Sequence, residues 1–101
     1  MGFSAFSHLT CSKCNRKYPA EVLINTCDCG YPLVVHYDLT AAANMTSPEE
    51  ISLRPNNMWR YHELLPIRYP RNIVSLEEGF TPLLKLDKLG KELGFKNLYM
   101  K

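Results

Sequence analysis

The sequence predicts a small α+β fold: a strand-built N-terminal module, then short helices, then a closing strand, helix and strand. Three observations carry that prediction. Cys11, Cys14, Cys27 and Cys29 form two close pairs, C-x2-C and C-x-C, separated by twelve residues. Ser47-Pro48-Glu49-Glu50 spells a helix start, and residues 73–101 alternate between strand-like and helical patterns. With 101 residues the chain has room for one small domain, or a small module plus part of another, and for no large core.

The cysteines come first because they define the module. Two thiolates two or three positions apart grip one ion from a tight turn. Two such turns from opposite hairpins complete a tetrahedral four-thiolate shell, the zinc-ribbon arrangement. Gly30 follows the second pair and Asn15 the first, and both residue types accept the positive φ that a metal knuckle requires. Tyr18-Pro19 and Tyr31-Pro32-Leu33-Val34-Val35 supply short antiparallel strands. Other chemistries of four cysteines stay open: an iron site, a redox dithiol, or two disulfides. Disulfides need an oxidising compartment, and the start of the chain has neither a basic segment nor a long apolar one. His8 and His36 lie nearby, but four thiolates already fill a tetrahedral shell, so both read as surface or packing residues.

Residues 1–39 hold the whole cysteine set and end in the strand-like run Leu33 to Leu39; they form the zinc-ribbon module. A chain this short buries too little apolar surface to fold alone, so metal binding and folding are expected to be coupled. Residues 40–57 read as a connector with a short helix: Ser47 caps, Pro48 takes the first helical position, Glu50 reaches back to the cap, and Pro55 stops the run. A second short helix is predicted from Asn57 to Leu64, ending before Pro66, with Trp59 as its largest apolar anchor. Thr81 to Leu86 then reads as a strand, Asp87 as a cap, Lys88 to Leu93 as a helix stopped by Gly94, and Asn97 to Lys101 as another strand.

Twelve Lys and Arg stand against ten Asp and Glu, so no strong field draws the chain to nucleic acid or anionic lipid. No apolar stretch approaches a membrane span, and the chain is expected to be soluble and cytoplasmic. Catalytic candidates are weak. Glu77 and Glu78 are neighbours whose carboxylates point apart, Gly79 is a lone glycine without a phosphate-cradling loop, and His62 reads as helix-surface packing beside Arg60 and Glu63. Lys13, Arg16 and Lys17 near Tyr18 and Tyr31 allow a second reading, an independent zinc-ribbon adaptor for nucleic acid or protein.

The order of the motifs resembles one family. Cys-x2-Cys, Cys-x-Cys-Gly-x-Pro-Leu, Tyr37-Asp38-Leu39, Met58-Trp59-Arg60-Tyr61, Glu63-Leu64-Leu65-Pro66 and Ser75-Leu76-Glu77-Glu78-Gly79-Phe80-Thr81-Pro82-Leu83 follow one another as in the N-terminal region of threonine synthase. The resemblance implies a pyridoxal-phosphate enzyme of fold type II that converts O-phospho-L-homoserine and water to L-threonine and phosphate. It also implies that residues 58–101 contain the first strands of the α/β catalytic domain. In that family a strand like Leu98-Tyr99-Met100-Lys101 leads into an Asn-Pro-Thr-Gly-Ser-Phe-Lys-type motif whose lysine holds the cofactor. The chain is expected to stop before that motif, with Lys85, Lys96 and Lys101 as solvated surface lysines and no activity of its own. A related enzyme such as cysteate synthase fits the same segment. The expected partner is the rest of a catalytic domain, or a second copy, meeting the apolar residues of 58–101.

Overall fold

The computed structural model describes residues 2–101 as a small α+β chain. A three-stranded antiparallel sheet in the order β2-β1-β3 is built from β1 (Phe6–Cys11), β2 (Lys17–Pro19) and β3 (Leu33–Tyr37). Its register sets Leu9 opposite Tyr18 on one side and opposite Val35 on the other. In a regular strand Phe6 and Leu9 would face opposite ways. A register shift between Phe6 and His8 absorbs one residue and turns Phe6 to the side of Leu9 and Cys11. Those three join Tyr18 and Cys27 in the buried cluster, with Ile24, Leu33, Val35 and Tyr37 packed around it.

Helix α1 (Leu39–Met45) lies where the sequence reading placed the end of a strand and a connector. Asp38 ends the extended run instead, because its carboxylate accepts the Ala41 N–H at 2.9 Å and caps a helix-forming alanine run. Helix α2 (Pro48–Ser52) starts as expected: Ser47 Oγ accepts the Glu50 N–H at 3.2 Å and Pro48 stands at the helix start. The second short helix read from Asn57 to Leu64 is a 3-10 helix (Met58–Leu64), with Asn57 as its cap. Trp59 on it is half-buried; the buried residues are Arg60 and Glu63.

The extended residues just before β1 tie the sheet to these helices. Ala5 N–H donates to Glu63 O at 2.8 Å, Asp38 N–H donates to Ala5 O, and Ser4 Oγ–H donates to Leu65 O. Glu63 receives both terminal nitrogens of Arg54, at 2.6 and 2.8 Å, with only 4% of its side chain exposed. Arg60 in turn donates to the carbonyl of Ile51, so two arginines and a carboxylate stitch α2 to the 3-10 helix.

Beyond this the chain opens out. A short 3-10 turn (Pro70–Asn72) leads to a loop where Glu77, Gly79 and Phe80 have φ of 62°, 90° and 48°. A side chain on Gly79 would come within 2.8 Å of the Met58 nitrogen, so glycine is required by both conformation and contact. Strands β4 (Leu84–Lys85) and β5 (Tyr99–Met100) pair antiparallel around α3 (Asp87–Leu93) and are shorter than the runs read from sequence. Asp87 is the first helical residue and not the cap; Leu86 holds that position without a side-chain bond. The radius of gyration is 18.1 Å, against about 13 Å for a compact chain of this length.

Candidate metal centre

Two hairpin turns carry the four cysteines to one point. Cys11 ends β1, where its N–H donates to Arg16 O and its carbonyl accepts the Asn15 N–H, closing the first knuckle. In the second knuckle Cys27 N–H donates to Tyr31 O and Gly30 N–H to Cys27 O. Asn15 (φ 61°) and Gly30 (φ 89°) take the left-handed conformation at matching places, each just after a cysteine pair, as expected from the sequence.

All four sulfurs lie within 4.8 Å of one another. Cys11 and Cys29 are 3.4 Å apart and Cys14 and Cys27 3.6 Å, close to the sulfur spacing of about 3.8 Å that a tetrahedral ion with ~2.3 Å bonds sets. The cysteines are free, so no disulfide competes with that arrangement. The donor set therefore fits a four-coordinate ion.

The site has two sides. Cys11 and Cys27 are buried, Cys14 and Cys29 exposed. Backbone N–H groups of Cys14 and Lys13 point at Cys11 Sγ, at 3.4 and 3.3 Å; the Cys14 N–H leads in pulling this thiol down to about 6. The Tyr18 hydroxyl donates to Cys27 Sγ at 3.1 Å and leads in lowering that thiol. For Cys29 a Tyr31 N–H pulls downward, but the neighbouring thiols Cys11, Cys27 and Cys14 outweigh it and push the group up to about 12. Cys14 is raised as well: the Arg16 N–H draws it down, and Cys11 and Cys27 overcome that. Four sulfurs sharing one small volume cannot all be anionic without a cation, so they shift in opposite directions, the buried pair downward and the exposed pair upward.

The other sequence candidates lie elsewhere. His8 and His36 stack across β1 and β3 at 4.6 Å and hydrogen-bond to Ser7 and Thr10. His62 stacks on Phe3 and its Nδ1–H donates to Phe3 O, a packing role. Glu78 accepts the Leu76 N–H, while Glu77 sits in a positive-φ turn. Lys101 donates to Thr81 O, and Lys85 lies 3.5 Å from Asp87. Tyr18 is the site residue that sequence reasoning undervalued, as strand material and as an aromatic of the adaptor surface but not as a partner of a cysteine. The signal was its alternation with Lys17 and Pro19, which leaves it on the core side of the strand leaving the first knuckle.

Comparison with known proteins adds the family. Over 91 residues, 90% of the chain, 43% are identical to a threonine synthase of Methanocaldococcus jannaschii. Over 95 residues, 93% of the chain, 36% are identical to a threonine synthase of Methanosarcina acetivorans. The chain is similar to threonine synthase. This bears out the resemblance read from the order of the motifs, and the chain spans 22% of the length of each of these relatives. No protein-family model and no solved structure matches it.

Proposed function

We propose that this chain is a zinc-binding structural segment of a threonine-synthase-like protein. The observation that carries the reading is the convergence of Cys11, Cys14, Cys27 and Cys29 on one point, in a sequence that matches two threonine synthases. Zinc is the ion best suited to four thiolates in a closed shell, because such a site has no open position for substrate and contributes folding energy. Bound there, zinc supplies charge neutralisation and a cross-link between the two knuckles.

The reaction proposed for the longer polypeptide is conversion of O-phospho-L-homoserine and water to L-threonine and phosphate with pyridoxal phosphate. Residues 2–101 take a supporting part, in which the apolar side chains after residue 58 meet further protein. Tyr61, Leu64, Phe80, Leu83, Leu89 and Leu93 are each 44–64% exposed. The adaptor reading has less support. Lys13 and Arg16 lie over the rings of Tyr31 and Tyr18, and Arg16 is paired with Asp28 at 2.8 Å, so the basic and aromatic groups of the ribbon are engaged with one another.

Elemental analysis of the chain purified under reducing conditions tests the metal. One zinc per chain is the expected result, and stoichiometric iron or no metal refutes the reading. A phosphate-release assay with O-phosphohomoserine tests the other half. The chain alone should stay at background, and turnover above it would show that residues 1–101 do more than support.

A further inference from the structure

We propose that Tyr18 is a positioning residue of the metal centre, whose hydroxyl holds Cys27 in its ligating rotamer and braces one knuckle against the other. This rests on the reading of the four cysteines as a zinc site.

The argument begins with position. Tyr18 lies four residues past Cys14, on the strand that leaves the first knuckle, yet its side chain reaches a sulfur of the second. Strand pairing opposite Leu9 fixes its backbone, the residue is 8% exposed, and the Arg16 guanidinium lies 5.4 Å from the ring centre. A phenol held this way has little freedom to find another partner.

Its hydroxyl is used twice. The Asp28 N–H, from the residue between Cys27 and Cys29, donates to Tyr18 Oη at 3.4 Å, and the hydroxyl proton goes to Cys27 Sγ at 3.1 Å. The chain Asp28 N–H, Tyr18 O–H, Cys27 Sγ runs in one direction, so each bond polarises the next toward the sulfur. Cys27 is 4% exposed, and among the described residues Tyr18 is the one hydroxyl that reaches any of the four sulfurs. A buried thiolate has no water to solvate it, so this donor carries a share of its stabilisation that the exposed Cys14 and Cys29 obtain from solvent.

A ring that only filled space would not need its oxygen, and Tyr18→Phe makes that distinction. In the 101-residue chain loaded with zinc, competition against a chromophoric chelator should show the variant binding about tenfold more weakly, as outer-shell losses at metal sites typically do. In the cobalt-loaded chain the sulfur-to-metal charge-transfer band should move to longer wavelength, because a sulfur that has lost its hydrogen bond gives up charge more easily. Both changes are required. Weaker binding without a band shift makes Tyr18 a packing residue, and unchanged affinity removes the proposal; either result leaves the zinc site standing. A wild-type chain that takes up no zinc overturns the metal reading itself. Should Tyr18→Phe fail to fold, the wild-type chain loaded with cadmium-113 decides: a scalar coupling from the Tyr18 hydroxyl proton to the metal supports the bond, and its absence excludes it.

Discussion

The N-terminal sheet and the C-terminal strand pair are both antiparallel, yet only the first encloses its own apolar residues. Around β1, Phe6, Leu9, Tyr18 and two cysteines are buried at 9% exposure or less. Around β4 and β5, Leu84, Leu89, Leu93, Tyr99 and Met100 remain 44–58% exposed. The ribbon has a third strand, a bulge that gathers three side chains on one face, and a point where four sulfurs meet. The C-terminal unit has two-residue strands and one short helix, which leave its leucines without an opposing layer. On the proposed reading a metal would substitute for core in the first case, and protein surface from elsewhere would do so in the second.

If that contrast is right, removing the metal is the change with the largest effect. Chelation, or Cys27→Ala, should melt residues 5–37 and leave α1 and α2 with their capping bonds, because structural zinc contributes an apparent ~10–16 kcal/mol to such modules. Amide dispersion in a heteronuclear spectrum checks this. Stripped protein with undisturbed ribbon resonances would show that the small core suffices and erase the contrast.

The two-sided charge pattern gives the next effect. Cys11, pulled to about 6, is already ionised at pH 7.5, while Cys29, pushed to about 12, and the raised Cys14 hold protons that zinc must displace. Cys27 is lowered from 9.0. Zinc uptake should therefore release between two and three protons rather than four, and affinity should fall about 100- to 1,000-fold per pH unit on going from pH 8.5 to 7. The slope steepens below pH 6, where Cys11 takes up its proton too. Calorimetry in buffers of different ionisation enthalpy measures the proton count.

Between the two regions stands the Arg54–Glu63 pair. Arg54, donating through both nitrogens, holds the Glu63 carboxyl below its ordinary 4.5. A depressed acid contributes stability above its unfolded value and loses it as pH falls through the folded one, so the difference in stability between the wild-type chain and Glu63→Ala should hold from pH 7 to 5 and shrink below 4.5, whatever the metal contributes to both. Glu63→Ala should cost about 3 kcal/mol, the low end for a buried pair, since Arg54 keeps 22% of its side chain in water. Urea titration of the zinc-loaded chain measures both.

How legible all this was in the sequence depends on the distance over which the information acts. The cysteine spacing, Asn15 and Gly30 after each pair, and Ser47 before Pro48 are local signals with local causes, and the structure keeps each of them. Helix α1 was equally local, since Asp38 before Leu39-Thr40-Ala41-Ala42-Ala43 is a cap followed by strong helix formers. It was hidden because a strand-like run leads straight into it. The Arg54–Glu63 pair joins residues nine apart across a kinked 3-10 helix, and the Tyr18–Cys27 bond joins two knuckles; no periodicity announces either. Asp87 carries a good capping side chain, but the backbone turns into helix one residue earlier.

The smallest effect on the chain itself should come from the C-terminal leucines, and there the contrast is sharpest. Leu89 and Leu93 lie four apart on α3 and are 44% and 58% exposed, so Leu89→Lys with Leu93→Lys removes little that is buried. Stability of the isolated chain should change by no more than about 0.5 kcal/mol, the usual range for surface substitutions. What should change is association. Exposed leucines in the same strand–helix–strand segment as Leu84 and Met100 should drive contact with a second copy or with further protein, and two lysines in their place would desolvate at a cost whenever they are covered. Sedimentation velocity over a hundredfold concentration range is the measurement: the wild-type chain should gain mass with concentration, and the double variant should stay monomeric with an unchanged denaturation midpoint. A wild-type chain that stays monomeric throughout, and binds no further part of a threonine-synthase-like polypeptide, would mean that this face is simply solvated. An incomplete layer would then have nothing to do with how the segment functions.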